Sequence, residues 1–221
     1  MTPDYSIVRR KPYFGRRKGK MNRPEMVNQT RMAFDYLQKM YLEVSYLIKE
    51  IEGQLFEEDE KFVICKASGY AISTRSSSGL ESPNVAMWLT RKLAVSFVPE
   101  ERTKLDRGQT LTDINGGLKV FHTSIVLDDP KVSEPSVFSG VLYNIHQKLS
   151  VKWIKKFENI MAHIEYNREK VFKDPENVEH EDAYIKLSGK FVRRNLFDIN
   201  NSEAIVEHII KPALLLYRGV P

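Results

Sequence analysis

Eight basic side chains fall within the fifteen residues from Arg9 to Arg23: Arg9, Arg10, Lys11, Arg16, Arg17, Lys18, Lys20 and Arg23. Tyr13 and Phe14 lie between the basic clusters. Cations at this density suit a phosphate backbone, because each neutralised phosphate releases a condensed counterion. Aromatic rings among them can stack on unpaired bases. These ten residues form the candidate nucleic-acid-binding set, with DNA or RNA as the candidate partner. The same run also reads as a protein-docking or solubilising tail. It lacks the apolar anchor that accompanies a lipid-binding basic patch. In a eukaryotic host its composition would also match a nuclear localisation signal.

Charge is segregated along the chain. Residues 1–24 hold eight basic side chains against the single acid Asp4, a net of +7. The other 197 residues hold 26 basic and 28 acidic side chains, a net of −2. The formal net charge of +5 therefore belongs to an arm on a nearly neutral body.

Other chemistry is thinner. Asp128-Asp129 at a strand end, with His122 or Glu134 nearby, has the composition of a divalent-cation site in a metal-dependent phosphodiesterase. Asp-Asp-Pro is equally an ordinary turn. Asp59-Glu60-Lys61 echoes the acid-x-Lys of a nuclease core but lacks a partner acid. The five histidines (His122, His146, His163, His180 and His208) are scattered without zinc spacing, and hydrogen-bonded structural roles are expected. His122 and His146 lie on or beside one hairpin, where they could meet. Cys65, between Ile64 and Lys66, reads as a small core residue. The three serines 76–78 lack the frame of a hydrolase elbow. Asn115-Gly116-Gly117 is a turn signal without a phosphate-binding loop. Lys186, Lys190, Arg193 and Arg194 form a second basic patch, and Lys148, Lys152, Lys155 and Lys156 a third. Both read as solvated surfaces. No catalytic residue, metal ligand or cofactor is assigned.

These residues need elements to position them. Pro12, Gly15, Gly19 and clustered like charge oppose regular structure in residues 1–22. The same residues argue against an amphipathic mitochondrial presequence. Helix signals begin at Arg23-Pro24-Glu25. Phe34, Leu37, Tyr41, Val44, Ile48 and Ile51 then alternate steps of three and four up to a C-cap expected at Gly53. Phe34, Leu37, Tyr41, Val44 and Ile48 form the candidate partner-binding stripe, since such spacing also suits a coiled-coil neighbour. Strands are expected over 62–74 with a bend at Gly69, then 85–98, 118–127 and 137–145. A long polar loop over 100–117 is a second candidate docking element. A helix is expected over 150–172, an acidic loop over 174–182, and an extended segment over 184–196 with a turn at Ser188-Gly189-Lys190. Asn200 and Glu203 have capping-box spacing before a last helix that Pro212 should kink or shift.

The order implies an α+β fold. An antiparallel sheet of about four to six strands packs with a long N-terminal helix and two helices from the C-terminal half. The domain reading is a basic flexible arm over 1–22 and a single α+β domain over 23–221. With 221 residues, 42% hydrophobic and 29% charged, a real core is expected. One cysteine excludes a disulfide framework and suits an intracellular compartment. No apolar run reaches the ~18 residues of a membrane helix. The expected localisation is cytoplasmic, or nuclear in a eukaryote, with no integral membrane contact. The leading functional expectation is a non-enzymatic accessory subunit binding nucleic acid or a nucleoprotein complex through the arm. The alternatives are a protein-interaction subunit with a protein partner or homo-oligomeric state, and a metal-dependent nuclease centred on Asp128 and Asp129.

Overall fold

The computed structural model describes residues 22–64, 70–72, 89–100, 119–129, 132–148, 160–161, 163–164, 167–174 and 176–221. The arm residues Arg9, Arg10, Lys11, Tyr13, Phe14, Arg16, Arg17, Lys18 and Lys20 lie outside these, as do Cys65, Gly69, the serines 76–78 and residues 101–118. Lys152, Lys155 and Lys156 do as well.

Helix α1 spans Arg23–Phe56. Asn22 caps it, its Oδ1 accepting the Glu25 N–H at 2.9 Å. That bond satisfies one of the donors left unpaired in a first helical turn. The expected stop at Gly53 is corrected, because Gly53 sits inside the helix. An interior glycine costs about 1 kcal/mol relative to alanine. Leu55, fully buried, contributes roughly 1.5–3 kcal/mol by leaving water. The apolar residue beyond the glycine decides where the helix ends.

Among the described residues seven strands form one antiparallel sheet: β1 (Phe62–Ile64), β2 (Tyr70–Ile72), β3 (Lys92–Pro99), β4 (Val120–Val126), β5 (Ser136–Gln147), β6 (Asn177–Glu181) and β7 (Ile185–Asn195). Their order is β1-β3-β4-β5-β7-β6, with β2 also on β3. β1 pairs with Phe97 to Pro99 and β2 with Leu93 to Val95, so both line one edge of β3. The seven strands thus occupy six places, and the fold is α+β as expected.

Two strand expectations are corrected. Within the supposed acidic loop, Asn177–Glu181 is the outermost strand, β6. Only Val178 turns into the core. Charged side chains on an edge strand discourage further pairing, and such a sequence shows no apolar alternation. The supposed turn at Ser188-Gly189-Lys190 is instead continuous strand in β7. A Cβ on Gly189 would lie 2.9 Å from the Phe191 ring and 3.0 Å from Leu142, so close packing explains this glycine. Gly140 on β5 is tighter still, because a Cβ there would lie 2.0 Å from the Lys190 carbonyl oxygen.

Both faces of the sheet are covered. On one, Phe97, Phe121, Ile125 and Val141 pack with Val44, Leu47, Ile48, Ile51 and Leu55 of α1 and with Ala213, Leu214 and Tyr217. On the other, Val98, Val120, Phe138 and Leu142 pack with Ile160, Met161 and Ile164. Val171 of the short helix α2 (Arg168–Val171) and Phe172 complete that layer. β4 is buried along its whole length, as expected of a strand between two layers.

At the C-terminus α3 (Ser202–Ile205) is capped by Asn201, which accepts the Ala204 N–H at 2.7 Å. This corrects the expected cap at Asn200 by one residue. A π-helical turn, Val206–Ile210, follows before α4 (Lys211–Gly219). Pro212 explains it: proline has no N–H for an i→i−4 bond and its ring crowds that carbonyl, so the preceding turn widens. Lys119 Nζ closes the far end of α4, donating to the Val220 carbonyl at 2.5 Å, where a cation complements the helix dipole.

By compactness the chain divides after Glu43, within α1, into Met1–Glu43 and Val44–Pro221. No helix among the described residues is long and apolar enough to cross a membrane.

Candidate interaction site

Of the ten nucleic-acid-binding candidates only Arg23 is described; it is exposed in the first turn of α1. The partner-binding candidates divide. Val44 and Ile48 are corrected as docking residues, because this chain's own sheet covers them, leaving 2% and 7% exposed. Leu37 and Tyr41 are half-buried, and Phe34 is 68% exposed. Met26, Val27, Met32, Tyr36 and Leu42 are exposed as well. Six of the eleven large exposed hydrophobics among the described residues therefore lie between Met26 and Leu42. Sequence reasoning missed Met32, Tyr36 and Leu42. Their signal was available as large apolar residues interrupting the polar face of an amphipathic helix.

Several cations among the described residues of the body are paired with nearby acids. Lys148 meets Glu181 at 2.6 Å, and Lys186 lies 3.6 Å from the same carboxylate. Arg218 holds Glu58 at 3.1 Å and Glu60 at 3.8 Å, and Lys211 pairs with Glu207. Lys186, Lys190 and Arg194 are exposed along β7, but Ser188 between them donates to Glu179 at 2.9 Å. The patch is thus interleaved with acids from β6. Arg193 donates to Ser136 Oγ at 3.2 Å and lies 5.9 Å from the Phe138 ring centroid.

The acidic pair is matched too. Arg91 lies 3.1 Å from Asp128, and Lys92 pairs with Asp129 in a largely buried contact. Among the described residues no three His, Cys, Asp or Glu are arranged to hold a metal ion.

No family model, curated protein or solved structure matches this chain. Its functional reading therefore rests on its own residues.

The histidines behave differently from one another. His122 is fully buried on β4, its Nδ1 3.0 Å from Ser96 Oγ, with Phe172 and Phe191 against the ring. His146 is exposed, so the two hairpin histidines do not share one environment. His163 and His180 converge on Asp182 Oδ2, donating from Nε2 at 2.8 Å and 3.1 Å. Asp182 Oδ1 accepts the backbone N–H groups of Tyr184 at 2.7 Å and Ile185 at 2.9 Å. Partial burial pushes the Asp182 carboxyl upward. The donors from His163, Ile185, Tyr184 and His180 outweigh that and hold it well below the usual carboxylate range. The clamp joins the helical residues at 163–164 to the β6–β7 turn. His180 and Asp182 are two apart, but no local spacing announces His163.

Proposed function

We propose that this protein is a non-enzymatic accessory subunit that binds nucleic acid, or a nucleoprotein complex, through the basic segment ending at Arg23. The observation that carries the reading is the charge segregation: +7 in residues 1–24 against −2 in the remainder. Some of the body's cations have an acid a few ångströms away, as with Lys148 and Glu181 or Arg218 and Glu58. The arm has only Asp4 to offset eight cations. Arg9, Arg10, Lys11, Arg16, Arg17, Lys18, Lys20 and Arg23 neutralise phosphates, and Tyr13 and Phe14 stack on bases. Binding of this kind has weak sequence preference and strong salt dependence.

The test is a salt titration with single- and double-stranded DNA and RNA. Full-length protein is compared with a full-length variant carrying glutamine at Arg9, Arg10, Lys11, Arg16, Arg17, Lys18 and Lys20. Arg23 is kept, so the capped start of α1 is untouched. The wild-type log–log slope is expected to be several units, at about 0.7–0.9 per phosphate contacted. The variant is expected to lose most of that slope. Equal binding by both proteins, or no binding by either at low salt, overturns the proposal.

A further inference from the structure

We infer, resting on that proposed function, that the nucleic-acid contact continues from the arm onto the first half of α1, where Arg23, Arg31 and Phe34 form a platform for single-stranded nucleic acid. The helix places these residues on one face. At 3.6 residues per turn, Arg23, Val27, Arg31, Phe34 and Gln38 fall within about 80° of one another around the axis. All five are exposed. Phe34, at 68%, is the most exposed of the large hydrophobics on α1. Val27, 45% exposed, lies between the two arginines. Arg23 and Arg31 are about 12 Å apart along the axis, and Phe34 follows about 4.5 Å beyond Arg31.

Charge points to an anion. Glu25 and Glu43 fall on the opposite side of the helix, and Asp35 lies at the edge of the face, one turn beyond Arg31. In the second half of α1 Lys49 meets Glu52 at 2.6 Å. Among the described residues no acid pairs with Arg23 or Arg31 in this way. The basic run from Arg9 to Lys20 leads into these two arginines along the chain. A polyanion engaged by the arm is thereby held at high effective concentration beside the helix face.

The ring sets the class of strand. An exposed aromatic side chain gains by stacking on a base, and an unpaired base offers its face. In a duplex the base faces are occupied by their neighbours, and the phosphates remain for the arginines. Arg31 therefore adds to the binding of either form, whereas Phe34 adds to the binding of single strands alone.

Binding of full-length protein to an oligothymidylate of about 20 nucleotides and to a duplex of equal length, across a salt series, tests this. Phe34→Ala is expected to weaken oligothymidylate binding about 5- to 150-fold, the equivalent of one lost stacked base. Its duplex binding should stay within about twofold of wild type. Arg31→Gln is expected to lower the single-strand log–log salt slope by about 0.7, one phosphate contact. Lys39→Gln, away from this face, should bind as wild type does. Each variant changes an exposed side chain, so circular dichroism spectra should match. Ultraviolet cross-linking to the oligothymidylate should mark the tryptic peptide spanning 32–39. Wild-type oligothymidylate binding by both Phe34→Ala and Arg31→Gln, with binding still lost in the glutamine-substituted arm variant, overturns the inference in favour of a protein partner for this face and leaves the proposed function standing. Equal losses on duplex and single strand in Phe34→Ala overturn the assignment to single strands. No binding by wild type at low salt overturns both the inference and the proposed function.

Discussion

The two halves of α1 carry one apolar row and have opposite fates. From Val44 to Leu55 the row is buried, with Ile51 and Leu55 fully so. In the first half Val27 and Phe34, on the same three–four step, stand exposed. Periodicity says which side of a helix is apolar, and it is silent about what covers that side. In the second half the sheet and the C-terminal helix do so. In the first half the large apolar side chains meet solvent.

Substitutions in the two halves should therefore differ in cost. The largest effect is expected in the buried half, where Leu55→Ala should cost about 2–5 kcal/mol in urea unfolding, by lost transfer energy plus a residual cavity. A cost below 1 kcal/mol would mean that the second half is not held by the core.

An intermediate effect is expected at Asp182, which ties two layers of the body together. Asp182→Asn should cost about 1.5–3 kcal/mol, the range for hydrogen bonds to a charged group. The sign of its pH dependence follows from the lowered carboxyl. A group held below its unfolded value, near 3.9, contributes fully above that value and loses its contribution as pH falls toward the folded value. The melting gap between wild type and variant should narrow as pH falls below about 4. A gap that widens below about pH 4 would contradict this.

The smallest effect is expected in the exposed half. Phe34→Ala, measured by the same urea unfolding at submicromolar concentration, should stay within about 0.5 kcal/mol of wild type. A loss comparable to that of Leu55→Ala would erase the distinction between the halves.

Much of the fold was legible because patterning and burial agree along the second half of α1, β5 and the last helix. It failed where local chemistry gives no sign of the neighbour. β6 has a single inward residue, Val178, so its membership in the sheet depends on β7 beside it. Gly189 resembles a turn residue until Leu142 and Phe191 are placed around it. Asn200 and Asn201 are alike in sequence, and only the direction of the Ala204 N–H separates them. The Asp182 clamp gathers His163 from a different element, which no spacing rule can reveal. The arm's chemistry, in contrast, is compositional and needs no fold to be seen.

In the proposed function nucleic acid meets the N-terminal segment while the sheet body serves as its support. Ultraviolet cross-linking of the full-length protein to a single-stranded oligonucleotide, followed by peptide mass mapping, tests it most directly. Adducts are expected on peptides containing Tyr13 and Phe14. Adducts confined to the sheet, on β5 or β7 around Phe138 and Arg193, would contradict it.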